Sequence, residues 1–371
     1  MVLVVENGTI VYNKAFGYFT YVHSEKVTVE SVYDLASITK ICATTLAVMK
    51  LYDEGKLDIN KKLGDYLPIV KGTNKDQILI KDLLLHQAGL EPYISFYKET
   101  IDAAGIPIPA IYSTEKKVGF ETRVANKLFL RNDWSDTMMN RILNSPVTTT
   151  GKYLYSDIDF IFLGKLVESI SGLSLDTYVR KYFYNPMSLA TIGFNPTTYL
   201  SQKLIVPTED EVIFRQQLLK GAVHDPGAAM FGGVAGHAGV FSDAYDLATI
   251  MQLLMNGGSF NGKRYLKKST VDFFTSYGSN ESRRGFGFDK PEKNNFKIAA
   301  PYPCLSASAA TFGHTGFTGT CVWADPENKL LYVFLSNRVN PSSSNKQLLQ
   351  MNTRSSIHEA IYKAVGLSRS N

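Results

Sequence analysis

The chain has 371 residues, 44% of them hydrophobic and 20% charged, an ordinary globular balance long enough for one large domain or two lobes. Its 39 basic and 34 acidic residues leave a net charge of +5 that gathers into no run, so composition gives no case for nucleic acid. No apolar stretch approaches the roughly 18 residues that a membrane span needs.

Val2-Leu3-Val4-Val5-Glu6, the pair Asn7-Gly8 and Thr9-Ile10-Val11-Tyr12 predict a hairpin, since Asn-Gly is the strongest two-residue turn signal. A chain that opens inside a strand, with no signal peptide, reads as a domain cut from a longer protein. A helix is predicted from Ala36 to Glu54, apolar around most of its circumference and therefore buried, with Gly55 as its stop. Ile80 to His86 reads as a short apolar helix, and Tyr93 to Ser113 as a long loop. Arg123 to Leu143 reads as helical. A further helix follows Tyr155, capped by Ser156 or Asp157, and another starts at Ser174. Strand and turn signals return between Phe231 and Phe241. The next helix runs from Asp243 to Met255, with Ser242 as its cap. Cys321 to Ala324 and Leu330 to Ser336 flank a second hairpin turn, and a helix from Leu348 to Val365 closes the chain.

These elements predict an α+β sandwich. An antiparallel sheet flanked by helices is built from both chain ends, with a mostly helical lobe inserted. Residues 1–371 form one domain, in which 1–55 and 222–371 make the sheet lobe and 56–221 the helical lobe.

Ser37 and Lys40 stand one helical turn apart at the head of the first buried helix, so the amine reaches back to the hydroxyl. A serine needs an adjacent base to become a nucleophile, and burial disfavours a charged lysine. The helix N-terminus adds backbone N–H groups that suit an oxyanion. Cys42, Cys304 and Cys321 form no disulfide framework, and Cys42 reads as packing. No His-x-x-x-His or Cys-x-x-Cys spacing suggests a metal, and no cofactor is implied. His86, His224 and His237 lie in Gly-rich loops and read as structural, with lining of the cleft as the lesser alternative.

Ser37-Ile38-Thr39-Lys40, Tyr155-Ser156-Asp157 and His314-Thr315-Gly316, in that order, resemble the serine β-lactamase and penicillin-binding-protein superfamily. The class C β-lactamase, D-alanyl-D-alanine carboxypeptidase and family VIII esterase branch is the nearest in pattern. The stretches Leu83 to Leu90 and Gly232 to Gly239 support this likeness, which spans nearly the whole chain. The resemblance implies a serine hydrolase working through an acyl-enzyme on Ser37. Lys40 would help deprotonate Ser37, and Tyr155 would shuttle a proton, its pKa lowered by neighbouring cations. The backbone N–H groups of Ser37 and Phe317 would form the oxyanion hole, while His314 and Thr315 would contact the acyl group or a substrate carboxylate.

Two positions depart from the pattern. Asp157 stands where asparagine is usual, and an ionised aspartate would pair with Lys40 and hold it charged, leaving Tyr155 as working base. His314 stands where lysine is common, a weaker anchor for a carboxylate. The histidine tilts the expectation from an efficient β-lactamase towards an esterase or carboxypeptidase-like hydrolase of esters, β-lactams or D-amino-acid peptides. The alternative is a slow penicillin-binding or sensor module, or an accessory domain of a larger cell-wall enzyme. The resemblance also implies a periplasmic or cell-envelope location, a small-molecule or peptide substrate and a fused upstream domain in the native chain.

Overall fold

The computed structural model describes residues 1–369. Its main sheet has five antiparallel strands, labelled in chain order as β1 (Val2–Glu6), β2 (Thr9–Lys14), β3 (Phe312–Thr315), β4 (Cys321–Asp325) and β5 (Leu330–Phe334). They lie side by side as β3-β4-β5-β1-β2, so the two chain ends share one sheet. Alternation along β1 sorts its side chains. Leu3 and Val5 enter the large central core, while Val2 and Val4 face a second, smaller core. Strand β2 is exposed along its length and forms an edge.

Four helices position the site. Helix α1 (Leu46–Asp53) and helix α2 (Asp157–Ser171) pack with α3 (Ala244–Met255) in the central core, and α3 lies on the sheet. Helix α4 (Thr353–Ala364) covers the opposite sheet face through His358 and Tyr362. No helix among the described residues is long and apolar enough to cross a membrane.

The buried helix expected from Ala36 to Glu54 is one helical path in three grades. A 3-10 turn spans Ala36–Ile38, a π turn spans Lys40–Thr45, and α1 completes it. The wide π turn leaves carbonyls free for outside donors. Cys42 accepts from the Tyr184 hydroxyl at 2.9 Å, which accounts for a buried, packing Cys42. The glycine-rich loop fits beside α2 because Gly236 has no side chain: a Cβ there would lie 1.9 Å from the Phe160 carbonyl oxygen.

Three local expectations are corrected. The helix read from Arg123 begins at Trp134, after a hairpin of Thr122–Ala125 and Leu128–Leu130. The apolar residues Val124 and Leu128 match helical spacing, but the Asn126-Lys127 turn, with Lys127 at φ 50°, reverses the chain. The cap of α3 is Asp243, whose carboxylate accepts the Asp246 N–H at 2.8 Å, because Ser242 is still paired in a strand with Tyr33. The closing helix breaks at Asn352, in the left-handed region, into Gln347–Gln350 and α4.

His86, His314 and His358 are among the buried histidines. Burial holds the His314 and His358 rings down to about 3 and His86 well below its ordinary value. Each binds its proton in the unfolded chain near pH 6.5 but not in the fold, so the contribution of each to stability falls as pH drops below that value. Between pH 7 and pH 5 the expected loss is about 2 kcal/mol per histidine, measurable as a falling urea midpoint. His358→Gln should remove about 2 kcal/mol of the pH-dependent change over that window, and an unchanged slope would contradict the neutral assignment.

Candidate active site

The central helix delivers Ser37 and Lys40. Lys40 is wholly buried, and its Nζ donates to Ser37 Oγ at 3.1 Å, to Asp157 Oδ1 at 2.6 Å and to the His237 carbonyl at 3.2 Å. Ser37 is half-buried, open on one side to a cavity. Just before it, Ala36 is held at φ +47°, which costs a residue with a Cβ roughly 1–2 kcal/mol. Its neighbours hold it there. Asp34 accepts the Ala36 N–H at 2.8 Å, and the Thr318 hydroxyl donates to the Asp34 carbonyl at 2.7 Å. Asp157 opens α2, where Ser156 Oγ accepts the N–H of Ile158 at 3.1 Å and caps the helix.

Burial pulls the Lys40 ammonium down, but the Asp157 carboxylate and Tyr155 outweigh it and leave its pKa above the ordinary lysine value. Lys40 is therefore a cation beside Ser37, as expected from aspartate at 157. Tyr155 differs from expectation. Lys40 and Arg284, 5.0 and 5.3 Å from its ring, do favour the phenolate, but burial and Asp157 outweigh them and its pKa is raised. At neutral pH Tyr155 carries its proton. The carboxylate of Asp157 is the acceptor that lies next to Lys40.

The third segment closes the site from β3. Gly316 lets its backbone lie against the nucleophile turn, since a Cβ there would stand 2.5 Å from the Leu35 carbonyl oxygen. Phe317 follows at the cavity wall, with Thr315 half-buried behind it. His314 does not line the cavity. Its Nδ1 donates to the Thr315 carbonyl at 2.7 Å, and its Nε2 accepts from Arg284 at 3.2 Å. Both bonds fix a neutral ring, consistent with its low pKa.

Sequence reasoning misses Arg284, a buried guanidinium that donates to the Tyr153 hydroxyl at 3.2 Å and to His314. It sits in an irregular loop, where no periodicity or motif could mark it. His86 lies under Tyr155 at 4.5 Å between ring centroids and pairs through Nδ1 with buried Asp159 at 2.8 Å. Its role is to support Tyr155 from behind. His224 and His237, expected to be structural, both line the cavity.

That cavity, about 540 Å³, contains Ser37, Tyr155, Asp157 and Phe317 on one wall. A larger one of about 740 Å³ lies between β1, β2 and α4, but Glu6 is the one charged side chain in its lining, and its one serine, Ser336, donates its hydroxyl to the Gly319 carbonyl at 3.0 Å. Asp157, Asp225 and His237 bring donor atoms within 4.8 Å of one another, a composition that could hold a metal ion. Lys40 already supplies a cation at Asp157, and His237 Nε2 is bonded to Asp225 at 2.9 Å.

Residues 1–351 match the family model described as Beta-lactamase. A relative from Salmonella paratyphi A, provisionally named D-alanyl-D-alanine carboxypeptidase, is 34% identical over 373 residues, spanning 93% of this chain and 80% of its own. A penicillin-binding-protein homologue from Caulobacter crescentus shares the fold at TM-score 0.67, 18% identity and 96% and 91% coverage of the two chains. EstCE1, a hydrolase with promiscuous acyltransferase activity, does so at TM-score 0.63 and 21% identity, covering 95% and 92%. The chain belongs to the beta-lactamase family of serine hydrolases.

Proposed function

We propose that this protein hydrolyses its substrate through an acyl-enzyme on Ser37, with Lys40, Asp157 and Tyr155 moving the protons. One observation carries the reading. Ser37 Oγ faces a cavity while touching a buried lysine that is itself paired with a carboxylate. In the free enzyme Lys40 donates to both oxygens. For attack, Asp157 takes a proton from Lys40, and the amine so freed takes the proton of Ser37 as Oγ bonds to the carbonyl carbon. The carbonyl oxygen becomes an oxyanion held by the Ser37 and Phe317 N–H groups. Tyr155 then gives its proton to the leaving group, and a water reverses the sequence to release the acid.

The substrate is an ester, a β-lactam or a D-amino-acid peptide, with ester or peptide work favoured over efficient β-lactam turnover. A neutral His314 supports that ranking, since it cannot balance the carboxylate of a penicillin as lysine would. The name of the Salmonella relative points the same way. Incubation with a fluorophosphonate, followed by intact-mass measurement and peptide mapping, should find one adduct on Ser37. An unmodified chain, or an adduct elsewhere, would overturn the reading. Benzylpenicillin in the same assay separates turnover from a lasting adduct, the mark of a slow penicillin-binding module.

Asp157→Asn tests the proton route. An amide cannot take the Lys40 proton, so the variant works only in molecules whose lysine is already neutral. The acid limb of kcat/KM should then move up by about two pH units or more, towards the lysine range. Superimposable pH profiles would remove Asp157 from the mechanism.

A further inference from the structure

The lining of the active-site cavity carries a charge pattern that the acyl-enzyme chemistry does not require. Four carboxylates face it, Asp157, Glu209, Glu211 and Asp225, with no lysine or arginine among its lining residues, in a chain whose net charge is +5. Two of the four are balanced by cations behind the wall. Lys40 pairs with Asp157, and buried Arg215 bonds Glu211 at 2.7 and 2.9 Å. The other two, Glu209 and Asp225, have only His224 and His237 as charge partners, at 2.8 and 2.9 Å.

Asp157 and Asp225 stand closest to the chemistry. Their carboxylates approach within 4.8 Å, and their side chains are 27% and 33% exposed. Asp157 Oδ1 accepts from Lys40, and Asp225 Oδ1 accepts from His237 and the Ala228 N–H, so each Oδ2 is uncommitted. Between them His237 is almost wholly buried, lines the same cavity and leaves its Nδ1 without a partner. Only Lys40 Nζ lies between Asp157 Oδ1 and Ser37 Oγ in the hydrogen-bonded chain. An α-ammonium is likewise one carbon away from the carbonyl that Ser37 would attack. The exposed ring of Tyr93 lines the same space and presents a face suited to a cation, whereas the Phe317 ring already carries the Arg338 guanidinium at 4.6 Å and His224 stacked at 5.6 Å.

We propose that the cleft selects an acyl group with a free ammonium beside its scissile carbonyl, the chemistry of an α-amino-acid ester or amide, and that Asp225 with Asp157 holds that ammonium. The proposal rests on the acyl-enzyme reading of Ser37. It places an amine, not a carboxylate, as the charged handle of the substrate. Of the guanidiniums near the cleft, Arg284 is committed to Tyr153 and His314 behind the wall, and Arg338 to the Ser343 and Asn345 carbonyls and the Phe317 ring. An ammonium suits the site better than a divalent ion, because the Lys40 ammonium already stands 2.6 Å from Asp157 and would repel a second, denser charge.

The test compares alanine p-nitroanilide with its N-acetyl form, in both D and L series, near pH 7. p-Nitrophenyl acetate, which has no amine, reports the acyl-enzyme reading alone. For one enantiomer the free amine should be preferred by about tenfold or more in kcat/KM, the worth of a charge-assisted contact. Rising salt should shrink that preference, as screening of a partly exposed ion pair requires. Asp225→Asn should bring the ratio of the two substrates close to one. The ratio corrects for any loss of folded enzyme. Equal or better cleavage of the acetylated form, or an unchanged ratio in Asp225→Asn, overturns the proposal. Loss of the preference on treatment with a chelator also overturns it, by giving the carboxylates to a metal. If p-nitrophenyl acetate is not cleaved either, the acyl-enzyme reading itself fails.

Discussion

Ser37→Ala is expected to lose hydrolysis by on the order of 10³-fold or more while keeping its fold. The change removes one oxygen and leaves the rest of the site in place. Lys40 keeps two of its three acceptors, Asp157 and the His237 carbonyl, so no buried cation is stranded. The strained turn at Ala36 is held by Asp34 and Thr318, neither of which uses the Ser37 side chain. Stability should therefore move by about 1 kcal/mol at most, the net worth of one hydrogen bond. A thermal melt and a steady-state assay on one preparation separate the two effects. Activity within tenfold of the wild type would mean that another group attacks, and the assignment would fall.

How much of the fold and site is legible in the sequence depends on how local each signal is. The first hairpin is readable because Asn7-Gly8 fixes the turn by itself, and the Ser37–Lys40 contact because three residues along one helix set their distance. The antiparallel sheet shared by the chain ends comes from two such hairpins. Tyr155 and Asp157 are more than a hundred residues from Lys40 in the chain, and no local pattern brings them there. Only the order of the three motifs, matched to a known superfamily, does so. Where two readings share one pattern, local reasoning fails. Val124 and Leu128 satisfy helical spacing, yet they sit in strands because a turn at Asn126-Lys127 lets both pack inward.

The charge states are the least legible, because they depend on neighbours that carry no motif. Histidine at 314 could have been a cation for a substrate carboxylate. Burial, with Arg284 beside it, decides otherwise, and nothing in the sequence around that arginine announces a buried guanidinium. Tyr155 shows the same dependence on context. Its cations are foreseeable, but the burial that outweighs them comes from packing against His86 and His314. These charge states divide the labour within the family pattern. In the mechanism proposed above, the tyrosine acts as proton donor, and aspartate in place of asparagine gives the lysine somewhere to send its proton.

Lys40→Met isolates that division, and it is expected to lower kcat/KM by about 10³-fold or more with little cost in stability. Methionine nearly matches the volume of lysine and packs well in an apolar setting. The variant loses a buried ion pair, and such pairs contribute little net stability once their desolvation is counted. Breaking one usually strands the partner, but Asp157 is 27% exposed and can be hydrated from the cavity. The sign of the pH dependence sets the conditions. The folded-state pKa of Lys40 lies above its ordinary value. Its contribution is therefore fully present below about pH 10.4 and lost only as pH rises past the raised value. A melt near pH 7 thus compares the complete pair with none. An unchanged or higher Tm together with a collapse of turnover would mark Lys40 as a residue kept for chemistry. A large fall in Tm with activity retained in the surviving folded fraction would make it structural, and the proton route from Ser37 to Asp157 would have no carrier.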